Sequence, residues 1–401
     1  MQPEPVRHAG SPGTGISQEQ PWDIVKSLAR IVSGDNDVLV DVNQRELVDL
    51  FSGNGTVWLG HANRSIARRL ASQARKIWIT GGLQTPVHLE AASAIERFFP
   101  STHRVAGIYS TGMEAAEFAG RMARVATGKP GVVGFEKSMH GKSLGTAYLG
   151  WENRYYGQLP HFHRLPFVAT HDEGDILDRL TATLRAHPVA VVFIEPMQGS
   201  GGGHSASDAF YREVQARCRQ FGTLLAFDEI LTGFYRTGTP FYFSSLDFIP
   251  DLVLIGKAMG NGFPVSGVVA RKDIPVGKDA LPGSTYAGNP LACAAIAATL
   301  EQLCKLRPVD KVASIEKTIW KALAPVRELG LHPRGRGAMW IVELPAAADP
   351  QAVALRLYER GVFVSYTGRI LRLLPAVTIV PDRLRAACAI VQKELSRVHV
   401  A

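Results

Sequence analysis

The chain of 401 residues is long enough for two domains or one large α/β unit with a substantial core. Hydrophobic residues make up 46% and charged residues 20%, the balance of an ordinary globular protein. The net charge of +8 comes from dispersed Lys and Arg residues, which favours a solvated surface and attraction of small anions over nucleic-acid binding.

The first sixty residues divide into a polar tail and a hairpin. Residues 1–20 are rich in Pro, Gly, Ser and Gln, and this composition predicts a disordered N-terminal tail. From Val38, apolar residues alternate around Asn43 and Gln44, which predicts a short hairpin. Since this hairpin precedes the large sheet, we expect residues 21–60 to pack with a C-terminal small domain.

Residues 61–300 alternate between strand-like and helix-like segments and are predicted to form the large domain. The strand-like segments are near-continuous apolar runs, three of which carry charged residues near their ends; they are residues 132–135, 189–196, 223–230, 252–258 and 265–270. Residues 115–126 and 208–222 have the spacing of amphipathic helices. Strands that are apolar on both faces and separated by helices predict an α/β fold with a mostly parallel sheet flanked by helices.

From about residue 301 the pattern changes, and residues 301–401 are predicted to form a smaller α+β domain. Strand-like segments are MWIVEL, GVFVSYTG and ILRLLPAVTIV, the last of which covers residues 370–380. A helix is predicted over PQAVALRLYERG, residues 350–361.

Several classes of protein are disfavoured by what the sequence lacks. No apolar run is long enough to span a bilayer, and the N-terminus has no signal-peptide core, so a cytoplasmic protein without membrane contact is expected. The four cysteines have no paired spacing, which favours buried free thiols in a reducing compartment. The twelve histidines form neither HExxH nor a Cys/His cluster, so no metal site is predicted.

Three polar residues follow successive apolar strands: Glu195, Asp228 and Lys257. Each alone has a structural explanation, because a Glu can end a strand, an Asp can cap a helix and a Lys can extend to solvent. Ligands of open α/β sheets bind at the carboxyl ends of the strands, and three such residues in succession therefore predict a site there.

An acid and an amine at one sheet edge match the needs of pyridoxal 5′-phosphate. A partly desolvated lysine has a lowered pKa and condenses with an aldehyde to form a Schiff base. A carboxylate keeps the pyridine nitrogen of this cofactor protonated. The segment Tyr109–Gly120, YSTGMEAAEFAG, offers a turn and a helix N-terminus for the phosphate, although a Ser or Thr helix cap has the same appearance.

The chain as a whole resembles the class III aminotransferases. The resemblance is carried, in order, by IYSTGMEAAEFAGRMAR, GFEKSMHGKS, FIEPMQGSGG, AFDEILTGFYRTG, PDLVLIGKAMGNGFPVSGVVA, GSTYAGNPLACAA and RGRGAMWIVEL, and it extends from about residue 38 to 391. It implies the pyridoxal-phosphate enzymes of fold type I, the aspartate aminotransferase superfamily. It also implies a homodimer with shared active sites.

The resemblance implies roles for residues that match the family's motifs. Lys257 is similar to the Schiff-base lysine and Asp228 to the partner of the pyridinium nitrogen. Ile230 matches a branched residue that packs against the ring. Gly112 and Met113 match the turn whose amides bind the phosphate.

Further matches concern the ring, the second subunit and the substrate. Thr285 is similar to the threonine that reaches the phosphate from the other subunit. Glu195 and Gln198 match polar residues beside the ring, and Met139 stands where the family usually has a stacked Tyr or Phe. Arg372 is similar to the arginine that grips a substrate carboxylate.

Departures from the family pattern bear on the substrate. Ser200 replaces the second Glu of EPIQGEGG, which pairs with the arginine in relatives acting on ornithine, and Asn54 replaces a Tyr of those relatives. Arg372 then either stays open to a carboxylate in both half-reactions or is switched by another group. Ornithine and acetylornithine are therefore disfavoured. Trp58, Trp151, Tyr155 and Tyr156 are candidates for the substrate pocket or for packing.

The first functional hypothesis is a ping-pong aminotransferase that moves an amino group between an amino donor and an oxo acid, aldehyde or ketone. The alternative is an amino-acid racemase or epimerase of the same fold, which needs a second acid on the opposite face of Cα. A catalytically silent binding protein is disfavoured by the presence of both Lys257 and Asp228.

Overall fold

The structure is a computed structural model that describes residues 30–151, 159–277 and 283–398. The predicted disordered tail, residues 1–20, lies outside the described residues, as do Tyr155 and Tyr156. The strands are, in chain order, β1 (Ile31–Asp35), β2 (Val38–Asp41), β3 (Glu46–Asp49), β4 (His103–Tyr109), β5 (Gly131–Phe135), β6 (Phe162–Leu165), β7 (Val189–Ile194), β8 (Leu224–Asp228), β9 (Leu252–Gly256), β10 (Ser266–Arg271), β11 (Arg334–Arg336), β12 (Met339–Glu343), β13 (Val362–Phe363), β14 (Ser365–Thr367) and β15 (Ile370–Leu373).

The helices flank these strands. They are α1 (Arg64–Ala74), α2 (Pro86–Glu96), α3 (Gly112–Thr127), α4 (Leu144–Tyr148), α5 (Glu173–Ala186), α6 (Asp208–Gln220), α7 (Pro290–Leu306), α8 (Pro308–Leu323), α9 (Pro350–Glu359) and α10 (Pro381–Leu395). Local sequence sets their ends. The Ser207 side chain caps α6 by accepting from the backbone N–H of Phe210, and Gly222, with φ of 58°, follows the last turn.

The large sheet has seven strands in the order β4, β10, β9, β8, β7, β5, β6. Neighbours from β9 to β6 are parallel, whereas β10 runs antiparallel to both β9 and β4. The predicted α/β fold with a mostly parallel sheet is therefore confirmed, with β10 as the exception.

Both faces of this sheet are buried, which explains its continuous apolar strands. Along β7, Val191 and Phe193 join the cluster that contains the alanines of α3. Val192 and Ile194 point to the opposite face and join the cluster that contains Phe210 of α6. Burial of each such side chain contributes about 1.5–3 kcal/mol, so these residues fix the strand between two helical layers.

The C-terminal part forms a second, antiparallel sheet in the order β11, β12, β15, β14. The strand predicted over residues 370–380 was too long, because β15 ends at Leu373. Pro375 has no N–H to donate to a sheet. The amides of Leu374 and Val377 bond the carbonyls of Leu50 and Trp58, so this segment ties the small sheet to the N-terminal part.

The N-terminal hairpin contacts the C-terminal part of the chain. Strands β2 and β3 are antiparallel, and Gln44, with φ of 60°, lies in the turn between them. β3 pairs in parallel with β13, and the Tyr358 hydroxyl donates to the Asp41 carboxylate. The division into domains at residues 21–60, 61–300 and 301–401 stays a prediction.

Other sequence expectations concern thiols, metals and membranes. All four cysteines are free, but Cys304 is exposed, so the expectation of buried thiols was wrong for that residue. In the three described ranges, no cluster of three or more His, Cys, Asp or Glu side chains is arranged for a metal ion. No helix within those ranges combines the length and apolar character needed to cross a membrane. The cytoplasmic location stays a prediction.

Candidate active site

Three adjacent strands bring the predicted acid and amine groups to one edge of the large sheet. Asp228 is the last residue of β8, Glu195 follows β7 by one residue, and Lys257 directly follows β9. The parallel register pairs Ile194 with Phe227 and Asp228 with Leu254, so the three strands end side by side. The carboxyl ends therefore converge as the α/β arrangement requires.

Lys257 has an unusual backbone and a perturbed amine. Its φ is 42°, in the left-handed region that non-glycine residues rarely adopt. Burial lowers the pKa of Lys257 to about 8, and the positive charges of Arg372 and Arg236 act in the same direction. The carboxylates of Asp228 and Glu195 partly offset this effect.

Asp228 is buried and held by two donors. The ring nitrogen Nδ1 of His140 donates to Asp228 Oδ2 over 2.8 Å, and the backbone N–H of Ile230 donates to Oδ1 over 3.1 Å. The other ring nitrogen of His140, Nε2, is buried and has no hydrogen-bond partner within the described residues. His140 was missed at the level of sequence, although its place beside Met139 in SMHGKS was a signal.

Glu195 and Gln198 anchor the segment that carries Met139. Glu195 accepts from the backbone N–H groups of Met139 at 3.0 Å and Gly199 at 2.8 Å. Burial, together with the charge of Asp228, raises the pKa of Glu195 to about 7. Gln198 Nε2 donates to the Glu136 carbonyl over 2.7 Å, while its Oε1 is buried without a partner in the described parts of the chain.

The N-terminus of α3 leaves two amides for an anion. Thr111 caps the helix, its hydroxyl accepting from the Glu114 N–H, and the Glu114 carboxylate accepts from the amides of Ser110 and Thr111. The next two amides belong to Gly112 and Met113, and first-turn amides have no acceptor within their own helix. That Gly112 and Met113 bind the phosphate stays a prediction.

A cavity of about 380 Å³ links this helix end to Lys257. Its walls include Gly112, Met113, Met139, Ile230 and Lys257. A Cβ at position 112 would lie 2.8 Å from Cδ1 of Ile230, so glycine is needed for Ile230 to pack there. The cavity therefore offers an amine, an apolar wall and an anion-binding helix end, which fits an aldehyde-bearing aromatic phosphate.

Arg372 lies on β15 and is held by neutral acceptors. Its Nη2 donates to Asn54 Oδ1 over 2.8 Å and to Ser365 Oγ over 2.6 Å, and its Nη1 donates to Ser200 Oγ over 3.3 Å. Burial lowers the pKa of Arg372 to about 10, and the charge of Glu195 acts in the opposite direction. Arg372, Asn54 and Ser200, which the sequence singled out separately, are therefore in direct contact.

Trp58 is not brought to the cavity. Its side chain is fully buried, its indole N–H donates to the Phe234 carbonyl over 2.8 Å, and the Arg236 guanidinium stacks on its ring at 3.9 Å. This placement speaks against the expected contact between Trp58 and the substrate. The indole N–H is already hydrogen-bonded, and the buried ring has no surface left for a ligand to contact.

Thr285 is also away from the cavity of its own chain. It is exposed, in the segment that leads into α7. Nearby, the carbonyl of Gly288 lies 3.5 Å from the Nδ1 atom of His88 on α2.

Comparisons with known proteins give consistent results. Residues 23–395 match the family model described as "Aminotransferase class-III". The chain is 30% identical to the [LysW]-aminoadipate semialdehyde/glutamate semialdehyde transaminase of Sulfolobus acidocaldarius, covering 92% of this chain and 95% of that one. It is 31% identical to the 2-aminoadipate transaminase of Pseudomonas putida, over 91% and 95% of the two chains. It is also 31% identical to the acetylornithine aminotransferase of Listeria monocytogenes, over 87% and 90%.

Solved structures share the fold. The ornithine aminotransferase of Toxoplasma gondii superposes with a TM-score of 0.84 at 27% identity, covering 92% of this chain and 90% of that one. An amine transaminase from an uncultivated Pseudomonas species, in a form with bound pyridoxal phosphate, gives a TM-score of 0.87 at 23% identity, over 97% and 99%.

Proposed function

The chain belongs to the class III aminotransferases, with the type I fold of pyridoxal-phosphate enzymes, and we propose that it works by a ping-pong mechanism between an amino donor and an oxo acid, aldehyde or ketone. It is an enzyme of the aminotransferase type, and pyridoxal 5′-phosphate is its cofactor. The single observation that carries the mechanism is the arrangement of the strand ends. Lys257 and Asp228 lie at the ends of adjacent strands, and Lys257 shares a cavity with the N-terminus of α3.

When bound, the cofactor supplies an aldehyde for a Schiff base and a ring that withdraws electrons from the bond to be broken. Lys257 would hold the aldehyde and, once released, move the proton of the substrate Cα. An amine with a pKa of about 8 is partly unprotonated near neutral pH, which is what a general base needs. Its partly desolvated position therefore supports this role.

Asp228 would hold the ring nitrogen in its protonated state. The hydrogen bond from His140 Nδ1 fixes one carboxylate oxygen, and that from the Ile230 amide orients the other. We assign to His140 a positioning role, because it acts on the ring through Asp228. The backbone amides of Gly112 and Met113 would bind the phosphate, and Met139, Ile230, Glu195 and Gln198 would surround the ring.

A homodimer with shared active sites is supported by the surface around Thr285. Large apolar side chains are exposed at Tyr286, next to Thr285, and along residues 77–89, where His88 lies 3.5 Å from the Gly288 carbonyl; in residues 77–89 they include Ile77, Trp78, Leu83 and Leu89. Leu83 is 75% exposed, and an apolar surface of this kind is typical of an interface. In such a dimer, Thr285 of one subunit would lie near the phosphate site of the other subunit.

Arg372 would bind a substrate carboxylate. Its acceptors, Asn54, Ser365 and Ser200, are all neutral, so an incoming carboxylate does not have to displace a negative charge. Of the two possibilities raised by Ser200, the contacts favour an arginine that stays open in both half-reactions. Substrates with a carboxylate near the reacting carbon are therefore favoured.

The names of the relatives do not agree on one substrate, since they include aminoadipate, semialdehyde and acetylornithine transaminases. They do agree on amino transfer, and for this reason the racemase alternative is not favoured. Asn54 and Ser200 still disfavour ornithine and acetylornithine as substrates here.

The experiment that tests this function compares Lys257→Ala with Lys272→Ala, a control at an exposed lysine. Each protein is loaded with pyridoxal phosphate, treated with borohydride and mapped by mass spectrometry. We expect a reduced cofactor adduct on residue 257 in the control and its loss in Lys257→Ala. An adduct of equal yield in Lys257→Ala would overturn the assignment.

Donors are then screened on the loaded control protein. With donor alone, an aminotransferase accumulates the pyridoxamine form of the cofactor and releases an oxo product. A racemase instead inverts Cα and retains the lysine-bound cofactor. Glutamate, alanine, β-alanine, diamines and simple amines form the first panel.

A further inference from the structure

A cavity of about 930 Å³, which we call the α8 cavity, lies between the loop that follows β7, helix α8 and strand β11. Among the described residues, none lines both this cavity and the cavity of about 380 Å³ at Lys257. The volume is that of a site for a small molecule, and the aminotransferase chemistry leaves the space unused.

Helix α8 turns one face towards this cavity. The wall residues on α8 are Ala313, Glu316, Lys317 and Trp320, which recur every three or four positions, the spacing of a single helical face. Trp320, in the last turn, is 38% exposed although it is a large aromatic residue. Its indole therefore offers the cavity an aromatic surface that the fold itself does not cover.

A second tryptophan supports the first from below. The rings of Trp320 and Trp340 have centroids 5.5 Å apart, and their planes are inclined by 32°. Trp340 is buried, and its indole N–H donates to the Gly337 carbonyl over 3.0 Å. Gly335 pairs with Trp340 between β11 and β12, and a Cβ at position 335 would clash with the Trp340 ring. The aromatic wall is consequently held in place by the small sheet.

The wall of the α8 cavity has a surplus of positive charge. Its cations are Lys317, Arg334 and Arg336, and its acid is Glu316. The Arg334 guanidinium is neutralised by Glu343, which lies 2.8 Å away. Burial and the charge of Arg334 lower the pKa of His204, which also lines the cavity, to about 4, so that imidazole is neutral near pH 7. The remaining balance is two cations against one carboxylate.

Arg336 is the cation best placed to bind an anion. Its side chain is half-buried, and its Nη1 donates over 3.2 Å to the hydroxyl of Ser245, a neutral acceptor. The guanidinium lies 5.0 Å from the centre of the Tyr242 ring, which orients its plane without neutralising its charge. A guanidinium held in this way can bind a carboxylate or a phosphate with two parallel hydrogen bonds.

We propose that the α8 cavity binds a small aromatic anion, with its ring on the Trp320 indole and its carboxylate or phosphate on Arg336. Lys317 adds attraction for the same anion from one turn before Trp320 on α8. The ring and the anionic group are both needed, because the cavity combines an exposed indole with a net charge of about one unit. This binding site is additional to the proposed function and does not depend on it.

The test measures binding by calorimetry to the enzyme loaded with pyridoxal phosphate. The probes are adenosine 5′-monophosphate, an aromatic phosphate, and indole-3-acetate, an aromatic carboxylate. Adenosine and indole are the counterparts without charge, and glycerol 3-phosphate and acetate are the counterparts without a ring. We expect at least one probe to bind about 10-fold or more tightly than both of its counterparts, and the probe that does so distinguishes a phosphate ligand from a carboxylate ligand.

Variants locate the bound probe. Arg336→Gln and Trp320→Leu should each weaken its binding about 10-fold, whereas Trp320→Phe, which keeps an aromatic ring, should retain most of the affinity. Arg185→Gln, at an exposed arginine of α5, is the matched control and should bind as the wild type does. Because Trp320 is partly exposed, its variants also serve should Arg336→Gln fail to fold.

The inference would be overturned if neither probe bound the wild type more tightly than its counterparts. Tighter binding that survived in both Arg336→Gln and Trp320→Leu would have the same consequence. So would binding that Arg372→Met abolished and Arg336→Gln left unchanged, since the probe would then occupy the cleft at the cofactor.

Discussion

Two arginines in the interior of this protein differ in what surrounds them. Arg236 donates to the carbonyls of Ala338, Pro375 and Gly55, at 3.3, 2.7 and 3.0 Å, and stacks on Trp58. Arg372 donates instead to the side-chain oxygens of Asn54, Ser365 and Ser200, at 2.8, 2.6 and 3.3 Å. Burial lowers the pKa of both, of Arg236 to about 9 and of Arg372 to about 10.

The difference shows that burial and a perturbed pKa do not by themselves identify a binding residue. Backbone carbonyls are fixed by the fold, so Arg236 ties the N-terminal segment to the C-terminal part and has no freedom to bind a ligand. Side-chain hydroxyls and amides can rotate away when a carboxylate arrives. The proposal that Arg372 binds a substrate therefore depends on the type of its acceptors, not on its burial or its pKa.

The largest effect is expected for Arg236→Met. It would leave three buried carbonyls without a donor, at a cost of about 1 kcal/mol or more each, so the free energy of unfolding should fall by at least about 3 kcal/mol. Denaturant unfolding measures this, with Arg327→Met, at an exposed arginine 5.9 Å from the Trp320 ring, as control. If the free energy of unfolding fell by less than about 1 kcal/mol, Arg236 would not have the structural role that distinguishes it from Arg372.

Arg372→Met should weaken substrate binding and leave the stability of the fold nearly unchanged, the opposite of what is expected for Arg236→Met. Affinity for a carboxylate substrate should fall about 10- to 100-fold, since a charge-assisted hydrogen bond contributes about 1.5–3 kcal/mol. Stability should change little, because the side-chain acceptors of Arg372 can rotate to other partners when the cation is replaced by an apolar side chain. KM values for carboxylate and simple-amine donors, measured beside a melting curve, check both parts. A melting point that falls as far as that of Arg236→Met would show that Arg372 is structural too.

The smallest effect concerns the pH dependence of Lys257. The rate at which the apoenzyme captures pyridoxal phosphate requires an unprotonated amine, so it should rise with pH around a midpoint near 8. Arg372 lowers the pKa of Lys257, so Arg372→Met should move that midpoint upwards and slow capture at pH 8. Asp228→Asn should move it downwards, because a negative charge that favours the protonated amine is lost. Stopped-flow measurements of the capture rate at a series of pH values give the three midpoints. A wild-type midpoint near the ordinary lysine value of 10.5 would show that burial does not lower the pKa of Lys257.

Periodicity and motif order were enough to anticipate the sheet and the edge at which Glu195, Asp228 and Lys257 converge. Strands such as β7 and β9 are apolar at every position, which only a sheet buried on both faces requires. Glu195 directly follows β7, and Lys257 directly follows β9. Because the carboxyl ends of parallel strands lie at one edge of a sheet, residues that follow such strands meet at that edge. The antiparallel β10 carries the same apolar pattern, so its direction could not be read from composition.

Contacts between distant segments were harder to anticipate. Trp58 looked like a candidate for the pocket, yet it packs under Arg236, which is 178 positions away along the chain. The end of β15 depended on the carbonyls of Leu50 and Trp58 as acceptors for the following residues. His140 became recognisable as a partner of Asp228 only through the 2.8 Å contact between them.

By itself, the amino-acid sequence determined the α/β architecture and the family, and it predicted which lysine and aspartate serve the cofactor, because these depend on local periodicity and on short motifs. Only the tertiary structure decided which arginine faces carbonyls and which faces rotatable side chains, and that Asn54 and Ser200 both contact Arg372. Such distinctions depend on side chains from separate segments meeting in space, and on the free energy of burying them there, which neighbouring residues in the chain do not encode.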